Sequence, residues 1–151
     1  MSRYRILVAD QASAVFYDAA NLAQAPIEIG RVAEPAARLH DRDLGSDRPG
    51  RSYESVGGAR HAIDREGGPH QRAAEQFARR VARRLDEARR KDEFDDLVIV
   101  AGPRFLALLR KHLPRLTRAR VAHEIAKDLV HGPADVLRSH LVAAKAEIPA
   151  A

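Results

Sequence analysis

Cysteine is absent from this 151-residue chain, as is tryptophan, and methionine occurs once. Without a thiol there is no disulfide and no thiolate metal site, so zinc ribbons and redox motifs are excluded together. Aromatic residues make up only 5% of the sequence. Alanine, valine, leucine and isoleucine must therefore fill the interior. No apolar run approaches the roughly 18 residues a membrane span needs. The run Ile6-Leu7-Val8-Ala9 ends at Asp10 and is too short for the core of a secretion signal. These features predict a cytoplasmic protein with no membrane span. HExxH spacing is missing among the seven histidines, at 40, 61, 70, 112, 123, 131 and 140, and no glycine fingerprint for a dinucleotide or a P-loop occurs. Neither a metal nor a cofactor is expected. Ser46, Ser52 and Ser55 lack a nucleophile-elbow context, which argues against a hydrolase triad.

Apolar residues nevertheless reach 45%, enough for a buried core in a chain the size of one domain. The net charge of +5 is unevenly spread. Residues 70–91 carry eight Arg/Lys against three acids, residues 103–120 carry six against none, and Asp92, Glu93, Asp95 and Asp96 make an acidic turn between them. Clustered arginine suits a polyanion such as RNA, through counterion release, and equally suits the solvation of helix faces.

Tyr4 to Ala9 and Ala14 to Ala19 read as two strands of a hairpin, with a turn at Gln11 to Ser13. Pro26 to Ala33 alternates apolar and polar residues, the period of a half-exposed third strand, and Pro35 closes it. Arg38 to Gly68 shows no sustained periodicity and holds six of the nine glycines. A connection this long inside one domain points to function. Gly68-Pro69, Gly102-Pro103 and Gly132-Pro133 each precede an amphipathic run, and proline suits a first helical turn. In the first run Ala74, Phe77, Ala78, Val81, Leu85 and Ala88 form a core stripe, with Arg72, Arg79, Arg80, Arg83, Arg84 and Arg90 opposite. Leu97 to Ala101 is an uninterrupted apolar strand of the kind covered on both faces. A helix follows from Pro103 to His112, broken by Pro114, with a further helical turn at Leu116 to Thr117. Val121 to Ile125 reads as a strand or a helix end, the strand being favoured, and Pro133 to Ala146 as the last helix. The expected fold is α/β: a single domain over residues 1–151, with a mixed sheet of about five strands and three main helices in the order β-β-β-loop-α-β-α-β-α.

Three constellations carry candidate chemistry. In the loop, Arg48, Arg51 and Arg60 supply forked donors that match phosphate, Gly57 and Gly58 permit close backbone approach, and Tyr53 and His61 can stack on bases. With Arg72, Arg79 and Arg83 of the following helix these make the expected nucleic-acid surface. Gly102 and Arg104 lie where an apolar strand meets a helix N-terminus, a place that favours anions. Asp10 and Asp128, each beside a strand end, are the carboxylates from which a metal-dependent hydrolase or nuclease could be assembled, although nothing in their spacing shows that they converge.

The stretches Leu7 to Asp10, Asp43 to Ser52, Gly57 to His61, Val98 to Leu106 and Lys127 to His131 together resemble the bacterial host attachment protein family, with similarity from about residue 4 to 141. The resemblance implies involvement in attachment to host cells and assigns no chemistry. That family in turn resembles the middle domain of eukaryotic-type class I release factors and Pelota-like ribosome rescue factors, where a Gly-Gly-Gln loop precedes a long helix. Gly57-Gly58 occupies a similar place, but Ala59 follows instead of glutamine, which argues against peptidyl-tRNA hydrolysis. Three functions are therefore expected to compete: an RNA- or ribosome-associated basic domain, a metal-dependent hydrolase, and a protein-interaction or homo-oligomeric module in host attachment.

Overall fold

A computed structural model describes residues 2–34 and 68–148. Most of the 38–68 loop, including Arg48, Arg51, Tyr53, Gly57, Gly58, Arg60 and His61, lies outside the described residues.

The strands are β1 (Tyr4–Ala9), β2 (Ser13–Ala19), β3 (Ile27–Ala33), β4 (Asp96–Ala101) and β5 (Val121–Ile125); the helices are α1 (Pro69–Arg90), α2 (Pro103–His112), α3 (Arg115–Arg118) and α4 (Ala134–Glu147). The fold is α/β, with one mixed five-stranded sheet in the order β3-β2-β1-β4-β5. β1 pairs antiparallel with β2 and parallel with β4, and β4 pairs parallel with β5. Val121 to Ile125 is thus a strand. The last proline is a correction: Pro133 caps α4 and does not occupy its first turn, as Pro69 and Pro103 do in α1 and α2.

Alternation along the strands sorts the core onto two faces. Leu7, Ala9, Leu97, Ile99 and Ala101 point to the side covered by α1 and α2, where Phe77, Val81, Leu85, Phe105 and Leu109 meet them. Ile6, Val8, Val98 and Val100 point to the other side, against Leu137, Leu141 and Ala144 of α4. A strand with helices on both faces can be apolar throughout, and residues 97–101 are all fully buried. In α1, alanines at 74, 78, 82 and 88 alternate with Phe77, Val81 and Leu85 on the buried face. Small residues between large ones let this helix lie close to the sheet.

β3 departs from its alternating sequence. Ile27 and Ile29 are 71% and 46% exposed. β3 is the edge strand, and its pairing with β2 shifts between Phe16 and Tyr17, so that Gly30 and Glu28 have partners while Ile29 has none. A bulge of this kind breaks the two-residue period.

A buried carboxylate ties α1 to α3. Asp86 is 5% exposed and accepts a hydrogen bond from the Thr117 hydroxyl at 2.7 Å, with Arg89 at 3.2 Å and Arg90 at 2.8 Å. The Thr117 hydroxyl holds the Asp86 carboxyl below the usual range, against the opposing effect of burial, and the arginines add to it. Thr117→Val keeps the shape but removes this donor from a buried anion. It should cost about 1–3 kcal/mol in a urea unfolding titration; a loss within error would mean that solvent satisfies the carboxylate.

Candidate functional site

Among the described residues, α1 carries the largest exposed set of cations. Arg79, Arg83 and Arg90 follow Arg72 by 7, 11 and 18 residues. At about 3.6 residues per turn these spacings are close to whole turns, so the four guanidinium groups share one ridge roughly 27 Å long. All four are exposed. Arg79 and Arg83 have no hydrogen-bond or ion-pair partner among the described residues, whereas Arg90 is bound to Asp86. The three helix arginines expected from sequence as phosphate contacts, Arg72, Arg79 and Arg83, are therefore brought together. Arg80, on the flank, is paired with Glu34 at 3.0 Å.

The second basic segment is largely consumed by the fold. Arg110 forms a two-nitrogen pair with Glu124 at 3.0 and 2.5 Å. Lys111 and His112 both reach Glu75 at 2.8 Å. Arg118 donates to the carbonyl of Arg110, and Arg120 to those of Phe94 and Asp95. Of its six cations, only Arg104 and Arg115 are without a partner among the described residues. Composition alone could not reveal this, because Glu75 and Glu124 come from other elements.

Lys111, and then His112, hold the Glu75 carboxyl down at about 2, from an ordinary 4.5. A carboxylate with a depressed folded-state pKa stabilises the fold above its unfolded value, and that contribution disappears as pH falls through the folded value. Stability should accordingly decline between about pH 4.5 and pH 2. Chemical denaturation across that window should show a shallower decline in Glu75→Gln; an unchanged profile would show that the α1–α2 cluster does not titrate as a unit.

A cleft of about 410 Å³ opens at the carboxyl ends of β1 and β4, lined by Asp10, Gln11, Gly102, Arg104, Phe105 and Asp128. Parallel pairing of β1 with β4 aligns Ala9 with Ala101, which sets Asp10 beside Gly102. Asp128, on the segment after β5, reaches the same place: its Cβ lies 3.9 Å from where a side chain on Gly102 would begin. The fold thus gathers Asp10, Asp128, Gly102 and Arg104, four residues separated by up to 118 positions, around one opening. One Asp10 oxygen accepts the backbone N–H groups of Ala12 and Ser13 at 2.9 and 2.7 Å, while the other lies 3.3 Å from His131 Nε2. Gln11 meets the His70 ring at 3.1 Å. The contacts of His70 with Gln11 and of His131 with Asp10 were not legible in the sequence, since the two histidines come from α1 and from the segment before α4. Among the described residues no group of three or more His, Asp or Glu side chains is arranged to hold a metal ion.

A second pocket, of about 310 Å³, lies on the flank of α1 towards β3 and is lined by Arg5, Phe16, Ile29, Arg84, Lys91 and Glu93, among others. Arg5 is almost fully buried there, between Asp18 at 2.5 Å and Glu93 at 3.3 Å. Sequence reasoning missed this pocket, because three of its walls belong to strands far from α1.

Among the described residues no helix is long and apolar enough to cross a membrane. No curated protein matches the chain. Residues 5–141 match the model of a family described as protein required for attachment to host cells, and the chain belongs to that family.

Proposed function

We propose that this member of the host attachment family is a cytoplasmic, single-domain RNA-binding protein that meets ribosomal or other RNA through the α1 ridge. The observation that carries the reading is the alignment of Arg72, Arg79 and Arg83 on one exposed face, with Arg79 and Arg83 unpaired among the described residues. Exposed guanidinium groups in a row offer planar, forked donors to successive phosphates and release counterions when they bind. Arg48, Arg51 and Arg60 precede the same helix in sequence and would add to this surface. The resemblance of the Gly57-Gly58 region to the release-factor loop supports an RNA partner, while Ala59 speaks against peptidyl-tRNA hydrolysis.

Cosedimentation with ribosomes tests the reading. Association should weaken steeply as salt rises and should be lost in Arg48/Arg51/Arg60→Ala. A pull-down with and without nuclease separates the competing interaction-module reading, which predicts protein partners that persist after RNA is removed.

One observation favours a second reading, a metal-dependent hydrolase: Asp10 and Asp128 line a single cleft with Arg104. Carboxylates of this kind can share a divalent cation with a ligand's phosphate oxygens. Phosphodiester cleavage that requires a divalent cation and is lost in Asp10→Ala would establish it; cation-independent inactivity of the native protein would dismiss it.

A further inference from the structure

We propose that the α1–β3 pocket receives an unpaired nucleobase, so that the ligand of the ridge is single-stranded RNA, with a preference for bases that carry an amino group. The inference rests on the RNA-binding reading and specifies its ligand.

The pocket and the ridge share a helix. Arg83 and Arg90 of the ridge immediately precede Arg84 and Lys91 of the pocket wall. A strand whose phosphates follow the ridge therefore passes the pocket mouth. Inside, the Arg84 guanidinium lies over the Phe16 ring, 4.7 Å from its centroid. A guanidinium already stacked on an aromatic ring offers its other face to a base, because bases stack on arginine planes as they do on aromatic side chains. No carboxylate pairs with Arg84 among the described residues, so the group is not otherwise engaged by charge.

Gly30 makes this placement possible. A Cβ there would sit 2.7 Å from Arg84 Nη2 and would touch nothing else within 3.8 Å except the same guanidinium. The acceptors are Glu87 and Glu93, which also line the pocket. Glu93 uses Oε1 to hold Arg5 at 3.3 Å, leaving its second oxygen for an incoming donor. Carboxylates accept from the amino groups of cytosine and adenine, and uracil has no such group. A pocket of about 310 Å³ is large enough for one base and too small for a paired stack.

The test compares a short oligo(A) or oligo(C) strand, an oligo(U) strand and a hairpin duplex by fluorescence anisotropy with the full-length protein. The native chain should bind the amino-bearing single strands roughly tenfold more tightly than the duplex, given the usual worth of one stacked base, and more tightly than oligo(U). Arg84→Lys keeps the charge but removes the stacking plane. Gly30→Ala keeps every charge but displaces the Arg84 guanidinium. Both should erase the single-strand preference while leaving duplex affinity within about twofold, since the number of cations is unchanged. Equal binding of strand and duplex by the native chain, or a preference that survives both substitutions, would overturn the base pocket and leave the ridge standing. Failure to bind any of the three at low salt would overturn the RNA reading and the pocket with it.

Discussion

Arg72, Arg79 and Arg83 replaced together by alanine are expected to weaken RNA binding by on the order of a hundredfold near 0.1 M salt. The magnitude follows from counterion release: each lost phosphate contact on a single strand lowers the salt slope by about 0.7, so three contacts flatten it by about 2. The fold should hardly notice, because all three side chains are exposed and their helix is held by its opposite face. Unfolding by urea should shift by no more than about 0.5 kcal/mol for each site, the usual range for surface positions. Affinity and stability thus separate cleanly. A triple variant that binds RNA with the native salt slope would mean that the phosphates lie elsewhere.

The opposite face of the same helix gives the opposite result. Phe77 is fully buried and stands 5.9 Å, centroid to centroid, from Phe105 of α2. It is among the largest of the fully buried side chains, at the point where both helices meet the sheet. Phe77→Ala removes most of a ring from a packed interior and leaves a cavity, at a cost of about 3–5 kcal/mol. Against a total of about 5–15 kcal/mol for a typical domain, that is a large fraction of the stability. A domain of this length should lose roughly 10 °C or more in thermal midpoint. Phe77→Leu, which refills part of the space, should recover much of the loss. A cost below about 1 kcal/mol for the alanine variant would show that α1 is not docked through this ring.

Elements with one strong period were the most legible in the sequence. Leu97 to Ala101 could only be a strand covered on both sides, and the α1 stripe could only face a core, because in each case every residue agrees with its neighbours. β3 was harder to read. Its alternation is genuine, but an edge position and a bulge opposite Phe16 and Tyr17 leave Ile27 and Ile29 outside. The candidate site divides in the same way. Arg72, Arg79 and Arg83 are related by helical spacing alone, so their common face could be read directly. Asp10 and Asp128 depend on the order of strands in the parallel part of a mixed sheet, which nothing in their spacing encodes. The neutralisation of Arg110 and Lys111 depends on Glu124 and Glu75, supplied by β5 and α1, and is invisible to a count of charges. The buried link between Asp86 and Thr117 joins residues 31 positions apart and carries no local signature.

Whether the α1 ridge works as a polyanion face is decided most directly by titrating the native protein with a fluorescent single-stranded RNA over a series of salt concentrations. Binding whose logarithm falls linearly with the logarithm of salt, with a slope of about −2 or steeper, is the predicted result. A slope near zero, or no binding even in dilute buffer, would contradict it.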